Sequence, residues 1–235
     1  MDKKISIMQP YLFPYLPYFQ LINLVDKFVF YDDVNFIKGG WINRNNILNK
    51  NESLLITFPC KGISSSKKIN EIELDYSRKQ IEKKLKTISQ SYSKAPFFKS
   101  VFPIIRSVFE NKHNKIASAA IESILLVSNY LNIDTEFIIS SKSSYHYSSE
   151  DRNEKIYSIC NIENCRHYIN PIGGMELYEK GDFQLRNLKL SFLKSDKIEY
   201  PQFVEGFISN LSIIDVLMFN DKEEVSKLLE KYKLV

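Results

Sequence analysis

Short apolar runs alternate with longer amphipathic ones along this chain. "ISIM" at residues 5–8 reads as a buried strand, and residues 18–26 set Phe19, Ile22 and Val25 on one side of a short helix. "KFVFYDD" (27–33) and "SLLITFPC" (53–60) are β-rich, the second stopped by Pro59. In "SRKQIEKKLKTISQSY", Ile81, Leu85 and Ile88 fall at helical spacing among lysines, which predicts an exposed amphipathic helix. "FPIIRSVFENK" predicts a helix with Pro103 in its first turn. "NKIASAAIESILLVSNYL" brings Ile116, Ile124, Val127 and Leu131 near one helical face. "TEFIISS" (135–141) reads as a strand and 141–153 as a polar loop. That loop closes on Asp151, with Glu154 three residues later, a helix start with its capping acid in place. "RHYINPIGG", "LKLSFLKS" and two terminal helices complete the chain. The last helix starts at Asp221 with Glu224 at the capping position, and turns Val225, Leu228, Leu229 and Tyr232 inward.

Strands alternating with helices predict an α/β layered fold, a largely parallel sheet flanked by helices. The strands near 4–8 and 27–32 are expected in one sheet. Residues 1–235 are taken as one domain, since neither a repeat nor a convincing linker interrupts them; the 141–153 loop is the best place for a break.

Composition narrows the classes. At 44% hydrophobic and 26% charged, the chain is globular rather than disordered. The net charge of +4 is mild; it suits an anionic small molecule and gives no reason to expect a nucleic-acid partner. No run reaches the roughly 18 apolar residues of a membrane span, so no membrane insertion is expected. "MDKKISIMQP" has too short an apolar run for a signal peptide. Cys60, Cys160 and Cys165 form no Cys-x-x-Cys pair and read as reduced thiols of a cytoplasmic protein. Self-association is left open.

Chemistry concentrates near the start. "QPYLFPYLPYF" (9–19) leaves the first strand and "YDD" ends the second; in an open α/β sheet both sit where ligands bind. Gln9 and Tyr11 are therefore expected at the base of a pocket, with Tyr18 nearby, and the prolines fix the rings before ligand arrives. Asp32 and Asp33 point to opposite sides of an extended backbone, so one is a candidate base or metal ligand and the other a capping or structural group. In "VNFIKGGWINRN", Lys38 and Arg44 are candidate diphosphate partners, Trp41 offers a stacking face for a base or sugar, and Asn45 completes the group. Of the histidines, only His146 lies in a polar loop, as a candidate general base. No histidine has metal-ligand spacing with another, so no metal site is expected. "NPIGG" (170–174) is a turn able to approach a phosphate.

The strand–loop–helix–strand order resembles nucleotidylyltransferases of the HIGH superfamily, although "YLPY" (15–18) lacks both histidines of their motif. More specifically, "QPYLFPYLPYFQLINLVDKFVFYDDVNFIKGGWINRNNI", "YINPIGGMELY" and "YPQF…LSIIDVLMFN" resemble the WbqC-like family of bacterial proteins, over about residues 4–220. The matching positions include Gln9, Pro10, Tyr18, Asp32, Asp33, Lys38, Trp41, Arg44, Asn45, Gly173, Tyr178, Tyr200, Ser212 and Asp215. The histidine that precedes Gln-Pro in some relatives is Met8 here, so no catalytic histidine carries over to that place. Membership implies a role in surface polysaccharide or O-antigen biosynthesis. The function it implies is a transferase placing an acyl or aminoacyl group on the amine of a nucleotide-linked sugar. The donor would be an acyl thioester, on coenzyme A or an acyl carrier protein. Nucleotidylyl transfer, ATP-dependent ligation and non-catalytic nucleotide-sugar binding are the alternatives.

Overall fold

A computed structural model describes residues 2–75, 77–145, 147 and 151–235. Its elements are β1 (Lys4–Met8), α1 (Leu16–Leu24), β2 (Lys27–Phe30), β3 (Arg44–Asn49), β4 (Glu52–Thr57), β5 (Cys60–Lys61) and β6 (Glu73–Leu74). There follow α2 (Arg78–Tyr92), α3 (Phe98–Glu110), α4 (Ile116–Tyr130), β7 (Glu136–Ile139), α5 (Arg152–Ile162) and β8 (His167–Pro171). The chain ends with α6 (Lys180–Gln184), β9 (Lys189–Ser195), α7 (Ile213–Phe219), α8 (Lys222–Leu229) and β10 (Tyr232–Leu234).

Six strands form the main sheet in the order β10-β9-β8-β1-β2-β7. All neighbours are parallel except β10, which runs antiparallel to β9. β1 pairs with β2 from Ile5 opposite Lys27 to Met8 opposite Phe30, as the sequence predicts. Side chains alternate between two covered faces. Ile5, Ile7, Val29, Tyr168 and Phe192 pack with Ile156, Ile159 and Cys160 of α5 and Phe183 of α6. Phe28, Phe30, Ile169 and Leu193 belong to the larger core shared with α1, α7 and α8, which extends to α2, α3 and α4. Burial on both sides is what a parallel sheet requires, and it explains the near-continuous apolar strands.

Several local expectations shift. β2 stops at Phe30, so Tyr31, Asp32 and Asp33 pass beyond the strand rather than ending it. α1 starts at Leu16, with Pro17 in its first turn, where a missing N–H costs nothing. α3 starts a turn earlier than expected, leaving Pro103 inside the helix on an exposed side. Arg44 and Asn45, given no element from the sequence, begin the β3–β4 hairpin, whose polar side faces solvent and hides the strand pattern. α8 ends at Leu229, and Tyr232 belongs to β10, where the sheet edge takes it up. Asp151 and Asp221 cap α5 and α8 as expected, accepting from the Glu154 and Glu224 backbone N–H groups. No helix among the described residues is long and apolar enough to cross a membrane.

Candidate functional site

From β1 the chain moves to β2 on one side, and it returns to β8 on the other side only after β7 and α5. The carboxyl ends of β1 and β8 therefore flank the point where strand order reverses, the place where open α/β sheets leave a crevice. A cleft of about 1340 Å³ opens there. Ile7, Met8 and Gln9 from the end of β1 face it, with Tyr31 and Asp33 beyond β2 and Asn170 and Pro171 at the end of β8.

The loop after β1 divides its aromatic residues between two tasks. Leu12, Phe13, Leu16, Tyr18 and Phe19 are buried in the core, while Gln9, Tyr11, Pro14 and Tyr15 line the cleft. Its backbone is held from several directions. Leu12 N–H donates to Ile42 O and Phe13 N–H to Ser123 Oγ at 3.0 Å. Phe13 O accepts from Asn45 Nδ2 and Ser212 Oγ, both at 2.7 Å, and Pro14 O accepts from Ile213 N–H. Phe13 has φ +46°, a left-handed conformation that costs a non-glycine residue about 1–3 kcal/mol and persists only where surroundings enforce it. Tyr18 sits beneath this loop and donates its hydroxyl to Gln9 O at 2.9 Å. Burial, helped by Tyr15, pushes the Tyr11 phenol up to about 12, so it remains a neutral donor at physiological pH.

The two acids, just beyond the end of β2, take different surroundings. Asp32 is buried and turned to the end of β7, accepting from Ser141 N–H at 3.0 Å and Ser141 Oγ at 2.7 Å. Asp33 lines the cleft and accepts from Ser140 Oγ, which also approaches Asp32 Oδ1 at 3.1 Å. Tyr147 stands beside this pair. Burial first, and then the Asp33 charge, hold its phenol well above the usual value. Tyr145 donates to Glu163 at 2.7 Å, and Glu163 is ion-paired with Lys27 at 2.7 Å. Burial works to raise the Glu163 carboxyl, but the Lys27 and Tyr145 hydrogen bonds outweigh it and leave it lowered.

Cations enter from α5. Arg152 and Lys155 lie in its first turn and line the cleft, with Lys155 Nζ 5.3 Å from the centre of the Tyr147 ring. The backbone N–H groups of that turn are taken by the Asp151 cap, which accepts from Asn153 and Glu154 N–H. Facing them, Asn170 accepts from the Tyr168 hydroxyl through Oδ1 at 3.2 Å, and Gly174 packs on its amide. A Cβ on Gly174 would lie 1.9 Å from Asn170 Nδ2, so only glycine leaves that amide in place. Gly173, Leu177 and Tyr178 complete this wall.

Of the residues singled out from the sequence, Gln9, Tyr11, Asp33, Trp41 and Asn45 line the cleft. Tyr18, Asp32, Lys38 and Arg44 are not among its lining residues. Lys38 is exposed. Arg44 Nε donates to Gly40 O at 2.9 Å, and its guanidinium lies 5.7 Å from the Trp41 ring centre, bracing the 37–41 turn. His146 lies outside the described residues. Among the described residues, no three His, Cys, Asp or Glu side chains gather to hold a metal ion. Sequence reasoning missed Tyr31, Tyr147, Arg152 and Lys155. The Asp151 cap was a signal for the last two, since it fixes where α5 begins.

A buried polar network braces the far side of the first loop. Asp215 accepts from Tyr92 and Tyr200 hydroxyls at 2.8 Å and from Gln202 Nε2 at 2.7 Å. Burial raises its carboxyl despite these three donors. Tyr92 in turn accepts from Leu48 N–H in β3, so the network joins β3, α2 and α7.

A family described as the WbqC-like protein family matches residues 9–227. "Uncharacterized protein Rv1507c" of Mycobacterium tuberculosis is 26% identical over 223 residues, which span 93% of this chain and 94% of that one. No solved structure matches.

Proposed function

The chain belongs to the WbqC-like protein family, and from that premise we propose that its cleft is the active site of a transferase acting on a nucleotide-linked amino sugar. The observation that carries this reading is the meeting, at one switch-point cleft, of an acid, a pair of cations and a tyrosine-rich wall. Arg152 and Lys155 supply charge for the diphosphate through their side chains. Tyr11, Tyr15, Tyr31 and Tyr178 offer rings and hydroxyls to a sugar, whose two faces differ in polarity as theirs do. Asp33 is the group placed to take a proton from an attacking amine, with Ser140 holding its carboxylate. An acyl thioester is the donor. The amine nitrogen attacks the thioester carbonyl, the C–N bond forms, the C–S bond breaks, and the proton taken by Asp33 is returned to the departing thiolate.

Incubation with UDP-linked amino sugars and a panel of acyl-CoA donors, read by mass spectrometry, tests this. N-acyl sugar nucleotides formed by the wild type and reduced about 100-fold or more in Asp33→Asn would support it. Absence of product from every pair would count against it. The order β1, loop, α1, β2 favours a second reading, nucleotidylyl transfer on a HIGH-like layout. Pyrophosphate released from a nucleoside triphosphate in the presence of Mg²⁺ and a sugar phosphate would identify that chemistry instead.

A further inference from the structure

Two ends of the cleft differ in chemistry, and a chain of contacts orders them. Lys155 lies over Tyr147; Tyr147 and Asp33 line the cleft, and Val34 follows Asp33 and lines it with Ile37 and Trp41. The first loop closes this far end, because Leu12 N–H bonds Ile42 O and Asn45 bonds Phe13 O, which brings Pro14 and Tyr15 against the same turn. The corner is apolar yet open: Ile37 is 52% and Trp41 45% exposed. Large apolar side chains left accessible in a cleft mark a place where a ligand supplies the missing cover. Arg44, the expected phosphate ligand of this turn, is instead committed to Gly40 O and the Trp41 ring, and Asn45 Nδ2 is committed to Phe13 O. Lys68 is the cation at this rim, exposed and among the residues that line the cleft.

We infer that the corner formed by Pro14, Val34, Ile37 and Trp41 is an acyl subsite, which takes the short aliphatic chain of the thioester donor. This rests on the transferase reading above and adds where the donor lies: Asp33 stands between the cationic end, which holds the sugar nucleotide, and the corner, which holds the acyl chain. The carbonyl carbon is thereby delivered to the amine at Asp33, and the length of the corner sets which acyl groups are used.

Trp41 is the single tryptophan of the chain, so its emission reports on this corner alone. Titration with acetyl, butyryl and hexanoyl thioesters of N-acetylcysteamine should shift that emission. Affinity should rise about fourfold per added methylene until the corner is full. Ile37→Ser, an exposed position, should flatten the dependence on chain length while UDP binding by calorimetry stays within twofold of wild type. Equal affinity for all three thioesters, or an unchanged dependence in Ile37→Ser, overturns the inference even if UDP binds, leaving the sugar-nucleotide reading intact. A shift of Trp41 emission with UDP but not with the thioesters also overturns it, since the corner would then hold the base. Chain-length dependence without any UDP binding supports the subsite and removes the sugar-nucleotide reading instead.

Discussion

Replacing Asn45 and Ser212 together by alanine should cost more stability than the two single changes added. Each residue donates to the Phe13 carbonyl at 2.7 Å, from β3 and from the start of α7. Ser212→Ala removes that bond and the cap that Ser212 Oγ provides to Ile214 N–H, about 1 kcal/mol each. Asn45→Ala removes its donor bond and the one its Oδ1 accepts from Asn46 N–H, about 1–2 kcal/mol in this half-buried place. Either single variant leaves Phe13 O with a partner. Only the double variant leaves it without a donor among the described residues, adding about 1–3 kcal/mol for an unpaired carbonyl under a residue that is 2% exposed. Phe13 also holds a left-handed φ of +46°, and the loop relieves that strain once the clamp is gone, which keeps the excess toward the lower end. Urea denaturation of the four proteins, compared at constant m, measures the coupling directly. Costs additive to within about 0.5 kcal/mol would show that the carbonyl reaches water and that the loop is not clamped as described.

Gly174→Ala should push the Asn170 amide from its place and weaken UDP binding about tenfold, the worth of one hydrogen bond, whereas Gly173→Ala, with nothing within 4 Å of its new Cβ, should change it less than twofold by calorimetry. Arg152→Ala with Lys155→Ala should lower UDP affinity about 10- to 100-fold and reduce its sensitivity to NaCl, while Arg44→Ala should change it less than threefold; the reverse order would move the phosphate site to the 37–41 turn. Burial, then Lys189 and Lys4, push His167 down to about 4, so its contribution to stability is complete above its unfolded value near 6.5 and is lost as pH falls toward 4. That loss is about 3 kcal/mol unscreened and nearer 1–2 kcal/mol with solvent screening, and His167→Gln should show a correspondingly flatter fall in urea midpoint between pH 7 and 4.5.

Much of the framework is legible without coordinates. The continuous apolar runs of β1 and β2, the caps at Asp151 and Asp221 and the amphipathic α2 are local properties, and local patterns predicted them. The same patterns put Gln9, Tyr11, Asp33, Trp41 and Asn45 near one strand edge, because β1 and β2 are joined by a single short helix and the crossover leaves their ends side by side. Periodicity says that a face is buried; it does not say what buries it. Nothing local distinguishes Asp32 from Asp33: the choice depends on Ser140 and Ser141, more than a hundred residues later, arriving at the end of β2 with β7. The docking of β8 beside β1, rather than beyond β7, is likewise a property of the whole sheet. That placement creates the switch point, brings Asn170 and Gly174 opposite Gln9, and swings the first turn of α5, with Arg152 and Lys155, into the same cleft. Arg44 shows the converse: its charge and its Trp neighbour read as a ligand site in the sequence, but the hairpin it starts gives its side chain the Gly40 carbonyl instead. Composition could place cations near a pocket, and only the strand order decided which of them face it.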